Sequence, residues 1–567
     1  MQNSITQNPI RVNHVGFTEK GNKRFVLTDN KTGEDTFRVY HFYECDKAPR
    51  EVYRGKMVLE DEQRGLWTGD FSDVTQEGDY YIEAGGHTSR YFLIYDKAYE
   101  HVSRILLSYF TYQRCGSDLG WAGKCHTDDG IIKETGEHVD LAGGYHQSGD
   151  LRKSPAGVSI GVLGMMRYAM KDQSAWGKTL LTDEVQWACD YYTKNIQENG
   201  AMYNTLSAPF GWGPRVFYKS AAPSSAQWCT TSILALGAIF FQEKNEALSH
   251  KYLEAAVRSW QYMTGEERSS EVYQHPDVTP RGMEADNTYY MCQKGNTADM
   301  AYMAVVAADL YAATGDVKYL DYVRKGADKL ISLMGEGNAA MCVLLNDDDE
   351  HLAFMCTAYA HANGGFMALC SAAELLGEEK YFNAIRSVAK AICRVAKTNP
   401  WYITRPVYSD KDLDMVFGHP APGRYLPSIR EKLSDIQPVG TVAKNGKEVN
   451  CFFDAKLGDR NFAPTENASK GAFLMRASKL LGDKEFASVA QSQADVILGA
   501  NLHDASLVNS VGHNHLGHKP YGQFFPPVPY IPGAINVVLT GLSHEECSEY
   551  DMPCVGMFMY LLSECLE

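Results

Sequence analysis

The chain has 567 residues, of which 44% are hydrophobic, 11% aromatic and 22% charged. This length exceeds what one ordinary hydrophobic core contains, so we expect two or three domains or one unusually large one. The net charge of -16 disfavours nucleic acid and anionic membranes as partners, because both attract clustered positive charge. The sequence has no apolar run of about 18 residues, so no membrane span is predicted.

The N-terminal stretch MQNSITQNPIRVNHVGF has no basic segment followed by an apolar one, which is the pattern of a secretory signal. The 14 cysteines are scattered along the chain and do not form a dense framework. We therefore expect a cytoplasmic protein whose thiols are reduced, with a few of them available to bind metal.

Residues 1–96 are predicted to form an antiparallel β-sandwich. Segments rich in β-branched and aromatic residues, such as RFVLTD, TFRVYHFY and DYYIEAG, alternate with turn signals such as TEKGNK and TQEGD. Short strands at a spacing of about ten residues are typical of an antiparallel sandwich. This region contains no convincing catalytic cluster, so we expect it to be a packing or docking module.

Residues 97–567 are predicted to be helical. Joints such as ATGDVKY, LLGEEKY and LLGDKEF place glycine near one helix end and an acidic residue near the next start, as helix capping prefers. Twelve helices in six hairpins favour an (α/α)6 toroid. The helices are predicted near 97–113, 156–172, 183–198, 225–243, 245–265, 297–314, 317–334, 353–377, 379–397, 466–481, 484–498 and 552–565.

Long segments rich in Gly, Pro, His and aromatic residues separate these helices. Loops of this length are usually functional or disordered, and their aromatic content argues against disorder. If the helices alternate in direction, one end of the toroid collects these loops and forms a cleft. The segments are 114–155, 199–224, 266–296, 398–465 and 499–551.

A first candidate site combines RCGSDLGWAGKCH with GGYH, which supply Cys115, Cys125, His126 and His146. Two thiolates and two imidazoles suit tetrahedral zinc, and four protein ligands would leave no open position, so such a zinc would be structural. The spacing is not that of a zinc finger. The alternative is that the cysteines are small buried residues and the histidines make ordinary hydrogen bonds.

Two sets of carboxylates are candidates for catalysis. Asp150, in GGYHQSGDLRKS, is either the cap of the following helix or a general base that activates water. Glu545, Glu546 and Glu549 precede the last helix; they form either a solvated acidic first turn or supply a general acid.

Aromatic and polar residues of the loops are candidates for binding a sugar. A sugar ring has apolar C–H faces and hydroxyl edges, so aromatic faces beside hydrogen-bonding groups suit it. The alternative for each is a role in the core. The candidate substrate-binding residues are Tyr145, Trp212, Arg215, Tyr218, Trp228, Tyr289, His513 and Phe524.

Together these segments resemble glycoside hydrolase family 9, the cellulase-like inverting enzymes, and in particular its subgroup with an N-terminal immunoglobulin-like domain. The segment IRVNHVGF is similar to I-x-V-N-Q-x-G-Y, GGYHQSGDLRK to G-G-W-H-D-A-G-D, and PSSAQW to P-S-S-A-H-W. The segment ILGANLHDASLVNSVGHN resembles I-L-G-x-N-P-x-x-x-S-Y-V-x-G-x-G, and EECSEYD resembles N-E-V-A-x-x-Y-N. The similarity extends along essentially the whole chain.

The resemblance implies a role for several of these residues. Asp150 corresponds to the catalytic base, and Glu545 to the catalytic acid, because it lies five residues before Tyr550; Glu546 is the alternative if the register differs by one. The four Cys and His residues correspond to the zinc ligands of the subgroup. The family toroid also often binds calcium, for which Asp459 and Glu466 are the candidate ligands here.

Two departures from the family pattern concern the substrate. Gln147 replaces the first Asp of D-A-G-D, which in the family helps to hold the attacking water, and the P-H-H-R segment that grips glucosyl units in cellulases is absent. We therefore expect a β-1,4-glycosidase, endoglucanase-like by family, for short gluco-oligosaccharides or glucosamine oligosaccharides. The alternatives are an exo-β-D-glucosaminidase that acts on chitosan-type disaccharides and a catalytically inactive sugar-binding protein.

Overall fold

The computed structural model describes most of the chain, and the statements below concern that part. The described residues are 7–42, 48–118, 123–149, 153, 155–172, 174, 176–205, 214–219, 224–268, 294–337, 347–348, 350–352, 365–405, 407–413, 436–454, 464–515, 530–535 and 550–566. Within them, no helix combines the length and the apolar composition that crossing a membrane requires.

The described residues of the N-terminal part form nine strands, most of them short. Alternate residues point inward, as in β4, where Phe37, Val39 and His41 are buried between more exposed neighbours. The strands are β1 (Ile10–Arg11), β2 (Gly16–Phe17), β3 (Arg24–Leu27), β4 (Thr36–Phe42), β5 (Arg50–Asp61), β6 (Leu66–Asp70), β7 (Gly78–Ala84), β8 (His87–Thr88) and β9 (Phe92–Ile94).

These strands form the predicted sandwich around their own core. The order is β1-β3-β6-β5-β4-β7-β9-β2, with β8 paired to β7. The long strand β5 belongs to both layers, because its first half pairs with β4 and its second half with β6. The ladder is antiparallel except for β2 and β9, which are parallel, so the prediction of a purely antiparallel sandwich is wrong at this edge. Phe17, Phe25, Phe37, Phe71 and Phe92 fill the core.

Twelve helices follow in the described part of the chain, one for each helix that the sequence predicts. The predicted boundary after residue 96 falls between β9 and the first helix. The helices are α1 (Ala98–Tyr112), α2 (Pro155–Lys171), α3 (Gly177–Asn195), α4 (Ser224–Phe241), α5 (Glu246–Thr264), α6 (Thr297–Thr314), α7 (Lys318–Ser332), α8 (Met367–Leu376), α9 (Glu379–Ala396), α10 (Pro464–Leu481), α11 (Lys484–Ile497) and α12 (Met552–Cys565).

Two helix starts differ from the sequence prediction. Helix α3 begins at Gly177 and not near 183, because the hydroxyl of Ser174 accepts a hydrogen bond from the backbone N–H of Gly177 and satisfies the first turn. Helix α8 begins at Met367, whereas the prediction placed its start near 353; residues 353–364 lie outside the described part.

The helices close into the predicted (α/α)6 toroid. The six even-numbered helices form an inner ring, in which α2 contacts α4, α4 contacts α6, and so on until α12 contacts α2. The odd-numbered helices lie outside this ring. Inner helices are buried nearly all round, as α12 is, whereas outer helices such as α7 bury one face.

Helices α2 and α12 run parallel and approach each other through glycines. A Cβ atom on Gly556 would lie 1.9 Å from the carbonyl oxygen of Gly161, and one on Gly164 would lie 2.1 Å from that of Gly556. Only glycine permits this backbone contact. The N-terminal ends of the two helices therefore lie at the same end of the ring.

Short joints connect the first five inner helices to the outer helices that follow them, at the opposite end of the ring. Gly315, Gly377 and Gly482 end α6, α8 and α10 with φ values of 69°, 67° and 69°. In this left-handed conformation each glycine N–H donates to a carbonyl of the last helical turn. The predicted helical hairpins are thus present, with glycine at the position that needs it.

The segments between helices contain strands that the sequence analysis did not identify. Strands β14 (Ile436–Lys444) and β15 (Lys447–Asp454) form a hairpin, which β12 (Glu336–Gly337) and β13 (Val407–Ser409) extend to four strands. Asn445 and Gly446 make its two-residue turn with φ values of 50° and 80°. The description of 398–465 as a loop is therefore wrong, and the signal was the Asn-Gly dipeptide between alternating segments. A shorter parallel pair joins β10 (Ile131–Ile132) to β11 (Val216–Phe217).

The sandwich packs against the toroid through buried polar groups. The Asp504 carboxylate accepts hydrogen bonds from His14 Nε2 at 3.0 Å, Arg90 at 2.9 Å and the backbone N–H of Asn8 at 2.8 Å. Asn13 donates to Asp495 near the end of α11 at 2.9 Å. Residues from the first and last parts of the chain thus share one interface.

Candidate functional site

The stretch before α2 lies between two other segments of backbone. On one side, Cys115 N–H donates to the carbonyl of Gly144, and His146 N–H donates to that of Gln113, both at 2.8 Å. On the other side, Met552 N–H donates to the carbonyl of Gln147 at 2.9 Å. The motif that the sequence analysis singled out is therefore an ordered strand-like segment up to Gly149.

The same segment connects the start of α2 to the start of α12. Ser148 forms an antiparallel bridge with Asp551. Asp150 follows Ser148 by two residues, and Glu545 precedes Asp551 by six, although both carboxylates lie outside the described residues. The close packing of α2 on α12 holds this pairing at the end of the ring where the long segments between helices lie, which we call the loop-bearing end.

Gln147 occupies the position where the resemblance expects an Asp. Its side chain packs against Gly157 in the first turns of α2, where a Cβ would lie 2.5 Å from the amide carbon of Gln147. The backbone carbonyl of Gln147 also accepts a hydrogen bond from the hydroxyl of Tyr109 at 3.1 Å. Gln147 is partly buried, and its side-chain amide can both donate and accept hydrogen bonds.

The four predicted metal ligands come together. The ligand atoms of Cys115, Cys125, His126 and His146 lie within 4.8 Å of one another, and all four residues are buried. Cys125 Sγ lies 4.0 Å from Cys115 Sγ and 3.4 Å from His146 Nε2. Two thiols and two imidazoles that converge in this way match the donor set of a tetrahedral zinc site.

Contacts within the cluster shift the pKa values of its residues in different directions. The hydrogen bond from Cys125 holds the pKa of Cys115 well below the ordinary thiol range, and the same contact raises the pKa of Cys125. Burial lowers the pKa of His146, which keeps its imidazole neutral. Thiolate and neutral imidazole are the forms that coordinate a metal, so a divalent cation bound here would have to displace the proton of the Cys125 thiol.

Arg215, one of the predicted sugar-binding residues, lies beside this cluster. It is buried and donates to Cys115 Sγ at 3.3 Å and to Asp129 Oδ2 at 2.5 Å. Lys153 also donates to Asp129 Oδ2, at 3.1 Å. The sequence analysis missed Asp129 and Lys153, because nothing in a linear sequence distinguishes a buried charge pair from a solvated one.

Three other predicted sugar-binding residues are buried and bonded to protein groups. Tyr145 donates to Glu184 Oε1 at 2.7 Å, and Trp228 donates to Asp299 Oδ1 at 2.6 Å. The backbone of Tyr218 pairs with Asn204. These contacts favour structural roles, and the prediction of direct sugar contact stays a prediction.

His513 lies at the interface with the sandwich. Its backbone N–H donates to His14 Nδ1 at 3.1 Å, and the two rings are 5.4 Å apart between centroids. Glu466, one of the two candidate calcium ligands, forms a buried ion pair with Lys470. Other predicted site residues lie outside the described part: Asp150, Glu545, Glu546, Glu549, Trp212, Tyr289, Phe524 and Asp459.

Comparison with known families gives matches to both parts of the chain. Residues 99–521 match the family model described as glycosyl hydrolase family 9, which is about three quarters of the chain. Residues 5–89 match the model of the cellulase N-terminal ig-like domain.

Individual proteins are similar as well. A cellodextrinase from Butyrivibrio fibrisolvens is 24% identical over 345 residues, which cover 55% of this chain and 59% of that protein. The solved structure titled Bacteroides ovatus GH9 has a TM-score of 0.64 at 18% identity and covers 98% of both chains. A Zn-binding triple mutant of the family 9 endoglucanase J30 has a TM-score of 0.62 at 16% identity, over 97% of this chain and 99% of that one.

Proposed function

Because the chain belongs to glycosyl hydrolase family 9, we propose that it is an inverting β-1,4-glycosidase acting on short gluco-oligosaccharides. The observation that carries this proposal is the backbone pairing of Ser148 with Asp551. It joins the two segments that contain the expected base and acid, which are far apart in the sequence. The similarity to a cellodextrinase supports a short substrate.

Asp150 is the general base in this proposal. Its carboxylate removes a proton from a water molecule, which attacks the anomeric carbon from one face of the sugar. In inverting enzymes the two carboxyl groups are about 6.5–9.5 Å apart, which leaves room for this water. Gln147 hydrogen-bonds the water or the sugar without adding a second negative charge.

Glu545 is the general acid. It protonates the glycosidic oxygen as the bond to the leaving sugar breaks, and the product anomer is opposite in configuration to the substrate. Glu545 lies seven residues before the apolar helix α12 in the sequence, and a general acid of this kind needs partly apolar surroundings to stay protonated near neutral pH.

We infer that the metal of the Cys/His cluster is zinc. When bound, zinc supplies a closed tetrahedral site with four protein ligands and no open position, so its contribution is structural. Cys115 and Cys125 precede the motif and His146 belongs to it, so the cluster fixes the strand-like segment four residues before Asp150.

A glucosamine oligosaccharide is the second candidate substrate. The observation that favours it is Gln147 at a position where the cellulase pattern has Asp, together with the missing P-H-H-R segment. Both differences concern groups that contact substrate or its water. An exo-β-D-glucosaminidase would release glucosamine from chitosan-type disaccharides.

The test is hydrolysis of a panel of cello- and chitosan-oligosaccharides, with the fresh product anomers followed by NMR. We expect the α-anomer to appear first from a β-linked substrate. Asp150→Asn should lower kcat by about 10³-fold, within the range typical of general base removal. Glu545→Gln should act similarly on unactivated substrates, while its neighbour Glu546→Gln serves as the matched control.

Three outcomes would contradict parts of this scheme. A product with retained configuration would reject the inverting mechanism. Unchanged turnover in Asp150→Asn would reject the assigned base, and a loss in Glu546→Gln alone would move the acid by one residue. No turnover by the wild-type protein on any sugar that it binds would favour a catalytically inactive sugar-binding protein.

A further inference from the structure

A buried carboxylate beside the metal cluster holds two cations at once. Asp129 Oδ2 accepts hydrogen bonds from Arg215 and from Lys153, and Asp129 Oδ1 accepts one from the backbone N–H of Arg215 at 2.9 Å. The side chains of Asp129 and Arg215 are fully buried, and that of Lys153 is 2% exposed. Removing one partner from such a group lowers the free energy of unfolding, because it leaves an uncompensated buried charge.

Arg215 connects this carboxylate to the metal ligands. Its guanidinium lies 3.3 Å from Cys115 Sγ and 3.2 Å from His126 Nδ1. Arg215 therefore contacts two of the four cluster residues while it is bonded to Asp129 through both its side chain and its backbone. Movement of Asp129 relative to the cluster would break several of these contacts.

The ammonium group of Lys153 has several protein partners. Besides Asp129, its Nζ donates to the carbonyl of Leu141 at 3.2 Å and lies 4.6 Å from the centroid of the Tyr191 ring. Its position is thus fixed by an ion pair, a backbone acceptor and an aromatic face. The ammonium group is fully used within the protein, which argues against a direct contact with substrate.

These contacts place a fixed point on either side of the expected base. His146 belongs to the metal cluster, and Lys153 belongs to the Asp129 group that Arg215 ties to the same cluster. Only six residues, 147–152, separate them, and these include Gln147 and Asp150. In the sequence, His146 lies four residues before Asp150 and Lys153 three residues after it.

We propose that Lys153 is a positioning residue for the Asp150 carboxylate, acting through the buried group of Asp129 and Arg215. This inference rests on the proposed function, because it assumes that Asp150 is the base. An error of about 1 Å in the position of a catalytic group can cost on the order of 100-fold in rate, so an anchor three residues away affects turnover.

The test replaces Lys153 with methionine in the full-length, metal-containing protein. Methionine keeps most of the volume but removes the charge, while Asp129 retains Arg215 as its partner. We expect kcat to fall by about 10- to 100-fold with KM changed less than about twofold, because substrate contacts are intact. Metal content and the thermal midpoint are measured on the same samples.

Lys194→Met is the matched control. Lys194 also donates to a carboxylate and to a backbone carbonyl of the same segment, namely Asp140 at 2.8 Å and Ala142 at 3.4 Å, but its pair is largely exposed. An exposed pair contributes little, so we expect this variant to keep the wild-type kcat.

The leaving group separates a positioning role from a general loss of structure. In a dinitrophenyl glycoside the dinitrophenolate group leaves without protonation by an acid. Its hydrolysis still requires an activated water. We therefore expect Lys153→Met and Asp150→Asn to stay impaired on the activated substrate, whereas Glu545→Gln recovers. If Lys153→Met recovered its activity on the activated substrate, Lys153 would act through the general acid and not through the base. That result would overturn the proposal.

Wild-type kcat in folded Lys153→Met would also overturn it, while the proposed function would stand as long as Asp150→Asn is impaired. If the methionine variant does not fold, Lys153→Gln decides, because glutamine keeps a donor for Asp129 and Leu141. In that variant we expect a smaller fall in kcat with unchanged KM, and a kcat equal to that of the wild type overturns the proposal.

Discussion

The two ends of the helical ring differ in how the chain connects its helices. At one end, joints of two to five residues link α2 to α3, α4 to α5, α6 to α7, α8 to α9 and α10 to α11. At the other end, every inner helix is preceded by a long segment, and these segments contain the metal cluster, the strand-like motif and the added hairpin. The short-joint end builds the fold, and the loop-bearing end is available for chemistry.

This difference teaches that stability and activity can be changed separately. A defect at the short-joint end should lower the stability of the whole domain and leave the activity of the folded molecules unchanged. A defect at the loop-bearing end should lower activity, whether or not it also lowers stability. Five variants, three at the two ends of the ring and two at the sandwich interface, sharpen this comparison in order of decreasing expected effect.

The largest effect is expected from Cys115→Ser at the loop-bearing end. Removing one thiolate from the cluster should abolish tight binding of one metal equivalent and lower both stability and kcat, because the cluster fixes the segment before Asp150. Elemental analysis, thermal melting and kinetics measure these changes. Cys189→Ser, a buried thiol on α3 outside the cluster, should keep the metal; loss of metal in both variants would contradict the assignment.

Asp309→Asn tests the short-joint end. Arg167 on α2 donates to both oxygens of Asp309 on α6 at 2.5 and 2.6 Å, and Ser232 on α4 donates to one of them at 2.6 Å. We expect a loss of about 3–5 kcal/mol in the free energy of unfolding, as for other buried ion pairs that lose one partner. The kcat of the folded fraction should not change.

The exposed pair of Glu254 and Arg258 on α5 provides the control for this loss. Glu254→Gln should change the free energy of unfolding by less than about 1 kcal/mol. A fall in kcat for folded Asp309→Asn would show that the two ends of the ring are coupled.

Asp495→Asn at the sandwich interface should change how stability depends on pH. Burial raises the pKa of Asp495 to about 7 from an ordinary value of 3.8. The folded state therefore retains a proton that the unfolded state has lost, and wild-type stability falls as the pH rises from about 4 to about 7. The asparagine variant lacks this loss, so its thermal midpoint should exceed that of the wild type at pH 8 and match it below pH 4.

Asp504→Asn at the same interface should show the opposite sign. Burial by itself would raise the pKa of Asp504, but hydrogen bonds from His14, Asn8 and Arg90 outweigh it and lower that pKa. The stabilisation is present above the ordinary pKa and is lost as the pH falls through the lowered one. Asp504→Asn should therefore be less stable than the wild type at neutral pH, and equal stability would contradict this account.

The smallest effect is expected at the helix joints. Gly377 has a φ of 67°, and a Cβ there would meet nothing within 4 Å, so Gly377→Ala adds only the strain of a left-handed alanine. We expect a loss of about 1 kcal/mol in the free energy of unfolding, measured by denaturant titration, with unchanged kcat. Gly315→Ala and Gly482→Ala should give the same loss, because their geometry is the same.

The sequence predicted the parts of the molecule that depend on local pattern. The joints around Gly315, Gly377 and Gly482 were identifiable because capping uses residue types at fixed positions. The four Cys and His residues of the cluster were predicted as a set because their types suit zinc and because their segments resemble those of the family, whereas their spacing alone was a weak signal. The hairpin at Asn445 and Gly446 was missed although its turn signal is local.

The remaining features depend on contacts between distant segments, which no local pattern encodes. Asp129 and Lys153 appear as ordinary loop charges until the fold buries them together. The contact of His14 with Asp504 is likewise not visible in the sequence, because the two residues are 490 positions apart. Arg215 was interpreted as a sugar ligand for this reason, because its residue type is visible in the sequence and its neighbours are not.

The glycine contact between α2 and α12 has a consequence for biosynthesis. Gly556 follows Gly161 by 395 residues, so at about 5–20 residues per second the ribosome makes the partner of α2 roughly 20–80 seconds after α2 itself. During that interval the glycine face of α2 has no neighbour on one side, and the ring is open. The backbone bridge between Ser148 and Asp551 forms only when α12 arrives, so the nascent chain lacks this pairing until the last inner helix is in place.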